Sequence, residues 1–174
     1  MEAENLIYLR KANIEDLDLL LHWDQQEHVK VSNPYDEWDY EADLKADYEW
    51  QEQYIAEVNG KAIGFLHIID PYLEETHYWG KVEANLKALD IWIGEKDYLN
   101  RGFGSQMMRK AFEICFSNPE VKGILIDPLE SNKDAIRFYN RLGFKFLEKR
   151  KFGEDICDVH FLSRKDYENL SKNN

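Results

Sequence analysis

The sequence predicts an α/β domain with one mixed central sheet flanked by helices. Three observations carry this: a tight hairpin signal in the first half, two successive strand–helix units in the middle, and a second hairpin near the end. The 174 residues fit one domain spanning 1–174, because a single core usually holds ~100 to 200 residues. Hydrophobic residues make up 44%, and five Trp, ten Tyr and nine Phe supply enough apolar area for a core without metal or disulfide support.

Taken in order, Leu6 to Lys11 alternates as a short strand does. Asn13 can then cap a helix that turns Ile14, Leu17, Leu20 and Leu21 to one face, with Asp16 where a capping acid belongs. Tyr35 to Trp50 is rich in acids and rings, with Trp38, Ala42, Lys45 and Tyr48 at roughly helical spacing, and reads as a helix or a lid. Gln53 to Val58 and Lys61 to Ile69 are strands joined by Asn59-Gly60, a pair that readily takes the positive φ angles of a tight turn. Asp70 to Leu86 has no steady period and is long for a loop, a length that more often marks binding than connection.

Leu89 to Ile93 follows as an apolar strand interrupted by Asp90. It runs through Gly94 into Asn100-Arg101-Gly102-Phe103-Gly104-Ser105, which opens a helix reaching Ser117 and burying Met107, Met108, Ala111, Phe112 and Cys115. The order then repeats: strand Gly123 to Asp127, loop Pro128 to Asn132, helix Lys133 to Leu142, with Gly143 as its stop. Lys145 to Lys151 and Ile156 to Leu162 form the closing hairpin about Gly153, and a short polar tail is expected after Ser163.

Charge narrows the partners. Thirty-four acidic against 22 basic residues leave a net charge of -12, which repels nucleic acid and anionic membranes and favours a small cationic molecule, although acidity also serves solubility. Cys115 and Cys157 stand far apart, and His22, His28, His67, His77 and His160 have no metal-ligand spacing, so no metal is expected and the histidines read as ordinary surface or core residues. The N-terminal MEAENLIYLRKA lacks a signal-peptide pattern and no apolar run is long enough to span a bilayer, so the cytoplasm is the expected compartment; monomer or homodimer stays open.

A glycine-bearing loop between a strand and a helix lets backbone N–H groups point outward at the positive end of the helix dipole, a receptor for pyrophosphate, and Gly102 and Gly104 permit close approach. The Walker and GxGxxG spacings are absent, and glycine-rich helix starts also serve packing. In the second unit Ser131-Asn132, Ala135, Tyr139 and Gly143-Phe144 follow at ordered intervals. On these residues the chain resembles the GNAT superfamily of N-acetyltransferases. LNRGFGS resembles its Q/R-x-x-G-x-G/A pyrophosphate loop, and SNKDAIRFYNRLGF its N-x-x-A-x-x-x-Y-x-x-x-GF segment. Within that superfamily LDIWIGEKDYLNRGFGSQ, ILIDPLESNKDAIRFYNRLGF and EDICDVHFL are similar to the aminoglycoside 6'-N-acetyltransferases.

The resemblance implies the GNAT fold, with splayed parallel strands holding acetyl-CoA as cosubstrate. Pantetheine would pair with the strand at Ile91, Trp92 and Ile93, with Gly94 marking a bulge. The diphosphate would sit on Arg101, Gly102, Phe103, Gly104 and Ser105, and Asn132, Ala135 and Tyr139 would complete the cofactor site. Leu99 departs from the pattern, standing where the family usually has Gln or Arg, which leaves the backbone donors to suffice.

The resemblance also assigns Asp90 to the acceptor amine and Asp127 as a second acid, with direct attack on the thioester in a ternary complex. The backbone N–H near Trp92 would polarise the carbonyl and Tyr139 would protonate the leaving sulfur. Read without it, Asp90 breaks an apolar strand and needs a partner, which is either a substrate ammonium or a neighbouring cation or backbone donor; Asp127 caps the loop before Pro128; Tyr139 packs on the sheet. Acids in Asp36 to Glu52 and Glu74 to Glu83, interleaved with Trp38, Trp50, Tyr78 and Trp79, suit ammonium groups and sugar rings, or are solvated faces and core rings; Tyr78, Trp79 and Glu83 are the substrate-binding candidates. The expected acceptor is the 6'-amino group of an aminoglycoside. The alternatives are a polyamine, a siderophore precursor or a protein N-terminus, and, in another class, a non-catalytic acyl-CoA sensor.

Overall fold

The structure, a computed structural model, describes residues 5–32 and 38–173. Tyr35 and Asp36, where the acidic aromatic stretch was expected to begin, and Met1 to Glu4 lie outside the described residues. The strands are β1 (Ile7–Lys11), β2 (Gln51–Val58), β3 (Lys61–Ile69), β4 (Leu86–Ile93), β5 (Gly123–Ile126), β6 (Lys145–Phe152) and β7 (Asp155–Ser163). Among the described residues they form one seven-stranded sheet in the order β1-β2-β3-β4-β5-β7-β6. β4 and β5 run parallel, whereas β1–β2, β5–β7 and β6–β7 are antiparallel, which makes the sheet mixed as expected. The helices are α1 (Leu17–Asp24), α2 (Glu27–Lys30), α3 (Tyr40–Lys45), α4 (Phe103–Phe116), α5 (Lys133–Arg141) and α6 (Arg164–Lys172). The chain groups into two compact units, Met1–Ile68 with Asp90–Glu113, and Ile69–Leu89 with Ile114–Asn174.

In the first unit the capping box read from the sequence is present. The Asn13 side chain accepts from the Glu15 N–H at 2.8 Å, and the Asn13 N–H donates to the Asp16 carboxylate at 2.9 Å. Arg10 grips that carboxylate with two donors at 2.7 and 2.9 Å. Burial pushes the Asp16 carboxyl up, but the Arg10 guanidinium and the Asn13 N–H outweigh it and hold it below its ordinary value. Leu20, Trp23, Val29, Tyr40, Ile55, Phe65 and Trp92 make this unit's core. Trp23 lies so close over Gly94 that a Cβ there would stand 2.1 Å from its ring, so only glycine fits. The N–H groups of Gly94 and Glu95 both donate to the Ile63 carbonyl, at 2.8 and 3.1 Å, so two residues oppose one and the strand bulges where Gly94 was expected to mark it. Of the stretch Tyr35 to Trp50, expected to be a helix or a lid, Tyr40–Lys45 forms the short helix α3, started by Asp39, whose side chain accepts from the Ala42 N–H at 3.1 Å.

The second unit corrects two expectations. β4 starts at Leu86, not Leu89, so the loop ends sooner: Leu86 and Ala88 are buried, and the charge of the intervening Lys87 lies 3.9 Å from Asp70. The polar tail after Ser163 is a helix. Ser163 caps α6 by accepting from the Asp166 N–H at 3.0 Å, Tyr167 stacks on Phe116 at 4.4 Å, and Leu170 covers Gly143. Trp79, Leu86, Ala88, Leu125, Phe152, Cys157 and Val159 form this unit's core.

Candidate active site

The loop before α4 is turned by two residues in the left-handed region, Asn100 at φ 57° and Gly102 at φ 83°. The first bond of the helix ladder joins the Gln106 N–H to the Gly102 carbonyl at 3.2 Å. The N–H groups of Phe103, Gly104 and Ser105 therefore precede the ladder and have no intrahelical acceptor. A Cβ built on Gly102 meets no heavy atom within 4 Å beyond its chain neighbours, so nothing packs against that point of the turn. The Phe103 side chain is buried with Met107 and Met108, which anchors the helix and leaves only the Phe103 backbone to the loop. Arg101 sets its guanidinium 5.1 Å from the Tyr98 ring and 5.4 Å from the Phe103 ring, and donates to the Asp97 carbonyl at 3.2 Å, which adds positive charge beside the open amides.

The parallel ladder of β4 with β5 covers Leu86–Ala88, while β4 itself continues to Ile93. Ile91 and Ile93 are half-buried and Trp92 is buried. The Ile93 carbonyl accepts a hydrogen bond from His28 Nε2 at 3.0 Å, which steadies the end of the strand. In the second unit, the Asn132 side chain accepts from the Ala135 N–H at 3.2 Å and so caps α5. None of the side chains of α5 is buried; Ala135 and Tyr139 are half-exposed, with the Tyr139 ring 5.2 Å from Phe138 and 5.7 Å, edge-on, from Phe144.

The long loop is tied by its own acids. Glu74 is buried and accepts from the N–H groups of Thr76 and Tyr78 at 2.7 and 3.2 Å; burial pushes its carboxyl up, and the Thr76 hydroxyl together with these N–H groups outweighs that and holds it low. The Tyr78 hydroxyl donates to Asp127 at 2.6 Å while its ring stacks on Phe152 at 4.6 Å, so two of the expected substrate residues meet each other. Trp79 lies in the core, 5.3 Å from Phe152, and its carbonyl accepts from Arg150 at 2.9 Å. Glu83 is exposed and pairs with Lys122 at 2.9 Å.

Asp90 is half-buried and, two residues from Trp92, shares that residue's face of β4. Around Trp92 stand rings that the sequence did not bring together: Phe65 at 4.8 Å and Trp38 at 5.9 Å, with Tyr40 and His67 beyond. His67, read from the sequence as an ordinary histidine, is buried on all sides, and burial pushes its imidazole down to about 4, so it is neutral near pH 7. Strand alternation was the available signal, since it puts His67 on the face of Phe65. Among the described residues no group of His, Cys, Asp and Glu could hold a metal, and no helix is long and apolar enough to cross a membrane.

A strand–helix turn whose first amides precede the helix ladder, with an arginine beside it, suits a ligand that carries a diphosphate. The chain belongs to the GNAT family: the family described as an acetyltransferase (GNAT) domain matches residues 13–152. The aminoglycoside N(6')-acetyltransferase type 1 of Klebsiella pneumoniae is 28% identical over 157 residues, covering 82% of this chain and 76% of that protein. The lysine N-acyltransferase MbtK of Mycobacterium tuberculosis is 27% identical over 153 residues, covering 80% and 69%. The structure of aminoglycoside acetyltransferase AAC(6')-Ib with coenzyme A shares the fold, with a TM-score of 0.83 at 24% identity over 95% of this chain and 99% of that one. The protein is an N-acetyltransferase that draws its acetyl group from acetyl-CoA.

Proposed function

We propose that the acceptor is a small polycationic molecule and that the reacting group is the 6'-amino group of an aminoglycoside, attacking the thioester directly in a ternary complex. The observation that carries this is Asp90: a half-buried carboxylate on the β4 face of Trp92, whose ring neighbours are Phe65 and Trp38, suited to an ammonium carried on an apolar or sugar framework. The net charge of -12 and the likeness to a 6'-acetyltransferase over most of the chain support the same acceptor. The family match spans both compact units, which supports reading 1–174 as one catalytic domain. Dependence on acetyl-CoA, an intracellular metabolite, supports the cytoplasm as its place of action.

The residues present fit the cosubstrate. The amides of Phe103, Gly104 and Ser105, open above Gly102, and the charge of Arg101 would hold the diphosphate, and the edge of β4 at Ile91 to Ile93 would hold the pantetheine arm. Bound there, acetyl-CoA supplies an activated acyl group. Asp90 holds and desolvates the ammonium and passes its proton on directly or through water; carboxylates are weak bases toward amines, so positioning is its larger share. The backbone N–H near Trp92 polarises the carbonyl. Tyr139 donates a proton to the departing sulfur, a phenol near ~10 being matched closely enough to a thiol near ~8.5. Asp127, with Tyr78 held against it, supplies the second carboxylate for a polycation.

Thiol release tests the reading, with aminoglycosides that bear a 6'-amine, their 6'-hydroxy counterparts, spermidine and lysine derivatives as acceptors; the likeness to MbtK puts the last in the panel. Turnover is expected with the 6'-amines and not with the 6'-hydroxy compounds. Asp90→Asn and Tyr139→Phe should each lower kcat by roughly 10²- to 10⁴-fold. Turnover confined to spermidine or lysine compounds overturns the aminoglycoside. Tight acetyl-CoA binding with no transfer to any amine, unaltered by either substitution, points instead to a sensor.

A further inference from the structure

His67 offers an acceptor that nothing in the fold uses. Gln51 donates through its Nε2 to the Asp43 carbonyl at 3.2 Å, which orients its amide and leaves Oε1 as the acceptor facing His67 Nε2 at 2.9 Å. The proton of the imidazole therefore sits on Nε2, and Nδ1 carries a lone pair. That Nδ1 is buried without a partner, and so are three donors of the same unit, Trp50 Nε1, Gln53 Nε2 and Trp92 Nε1. His67 and Trp92 flank the same two rings, Trp38 at 5.5 and 5.9 Å and Phe65 at 6.1 and 4.8 Å. Buried polar atoms are rarely left unpaired in a native fold. The lone pair of Nδ1 calls for a hydrogen-bond donor, and a hydroxyl supplies one without bringing a net charge into this buried, ring-lined place.

Position ties His67 to the reacting amine. β3 and β4 are neighbours in the sheet, and the contacts Ile63 with Gly94 and Phe65 with Trp92 advance in opposite directions along them. Two residues further along each strand, on the same face, His67 falls across from Asp90. Of the rings around His67, Trp38 alone is partly exposed and meets the imidazole edge-on, which makes it the ring whose turning would open a path to the imidazole.

We propose that His67 is a specificity-determining residue: with Trp38 turned aside, its Nδ1 accepts a hydrogen bond from a hydroxyl of the acceptor next to the amine held by Asp90. The inference rests on the aminoglycoside reading above and names the sugar hydroxyl as its second recognition point. A site built around such a bond rejects the analogue that lacks it.

The test pairs two substitutions with two acceptors: an aminoglycoside, and its dideoxy derivative lacking the two hydroxyls nearest the reacting aminomethyl group. His67→Gln sets its amide nitrogen near the place of Nε2, keeping the Gln51 bond and losing the acceptor; His67→Asn sets a carbonyl near the place of Nδ1 and loses the Gln51 bond. Wild type should prefer the hydroxylated acceptor roughly tenfold or more in kcat/KM. His67→Gln should abolish that preference, mainly through KM, and His67→Asn should keep most of it, with acetyl-CoA binding intact in both. No preference in wild type, equal losses on both acceptors in His67→Gln, or a preference kept by Gln and lost by Asn each overturn the proposal, the last two marking a structural bond or a buried water. Failure of wild type to acetylate any aminoglycoside is a separate result that removes the acceptor reading, and this inference with it.

Discussion

The starts of α4 and α5 are built on one plan, strand, loop and helix, and finish it in opposite ways. At α5 the chain satisfies its own helix: Asn132 turns its side-chain carbonyl onto the Ala135 N–H. At α4 the residue before the helix is Gly102, which has no side chain to offer, and a Cβ there would meet nothing within 4 Å beyond its chain neighbours. The first start keeps three amides for an outside anion, whereas the second uses its donors internally and offers the side of its helix, where Ala135 and Tyr139 stay half-exposed. Binding capacity in such repeated units lies where a local structural need has been left unmet, and the remaining unit supplies groups of another kind.

Filling the open start gives the largest expected effect. Gly102→Glu forces a side chain onto a backbone at φ 83° and points a carboxylate at the helix end that would receive diphosphate. Calorimetry should show the Kd for acetyl-CoA raised at least a hundredfold, about 3 kcal/mol. Gly102→Asn, a residue that tolerates the left-handed region, should stay within about tenfold of wild type. An unaltered affinity in the Glu variant would break the comparison, because the two helix starts would then be equally idle toward the cofactor.

The turn before α1 is a third start, closed by side chain and charge together, and the next largest effect lies there. Asp16→Ala removes the partner of Arg10 and half of the capping box, and should cost about 2 kcal/mol in urea denaturation at pH 7, without altering acetyl-CoA affinity. The folded carboxyl sits below its unfolded value, so this stability is complete above about pH 4 and is lost as pH falls through the folded value. Wild type and variant should therefore converge in strongly acidic buffer. A difference that persists where the folded carboxyl is fully protonated would assign the loss to packing instead of charge.

What the sequence disclosed and what it concealed divides along local and distant causes. The box of Asn13 and Asp16, the Asn59-Gly60 turn and the Gly102 loop were legible because each is written in neighbouring residues and rests on backbone chemistry. The helix α6 was not: its residues are polar, and it is held by Tyr167 on Phe116 and Leu170 over Gly143, partners far off in the chain. Trp79 read as a ring in a binding loop because its partner Phe152 belongs to a distant strand. Lys87 hid the start of β4 for the same reason, its charge being answered by Asp70 across the loop. In the candidate site Asp90 was visible as one acid in an apolar strand, whereas alternation put His67 only on the face of Phe65, and it gained meaning from Gln51 and Trp38.

The smallest effects are at Asn132, where they decide most finely between two roles. If the side chain is a cap alone, Asn132→Ala should destabilise the protein by about 1 kcal/mol and Asn132→Gly by only a few tenths, since glycine at a cap leaves the amides to water. In both variants the Kd for acetyl-CoA should stay within about twofold of wild type, measured by calorimetry beside the denaturation curves. A tenfold rise in Kd shared by Ala and Gly, whatever their difference in stability, would show the Asn132 amide touching the cofactor, as the family pattern implies. The second helix start would then serve its helix and the ligand with one side chain, and the contrast with Gly102 would be one of degree.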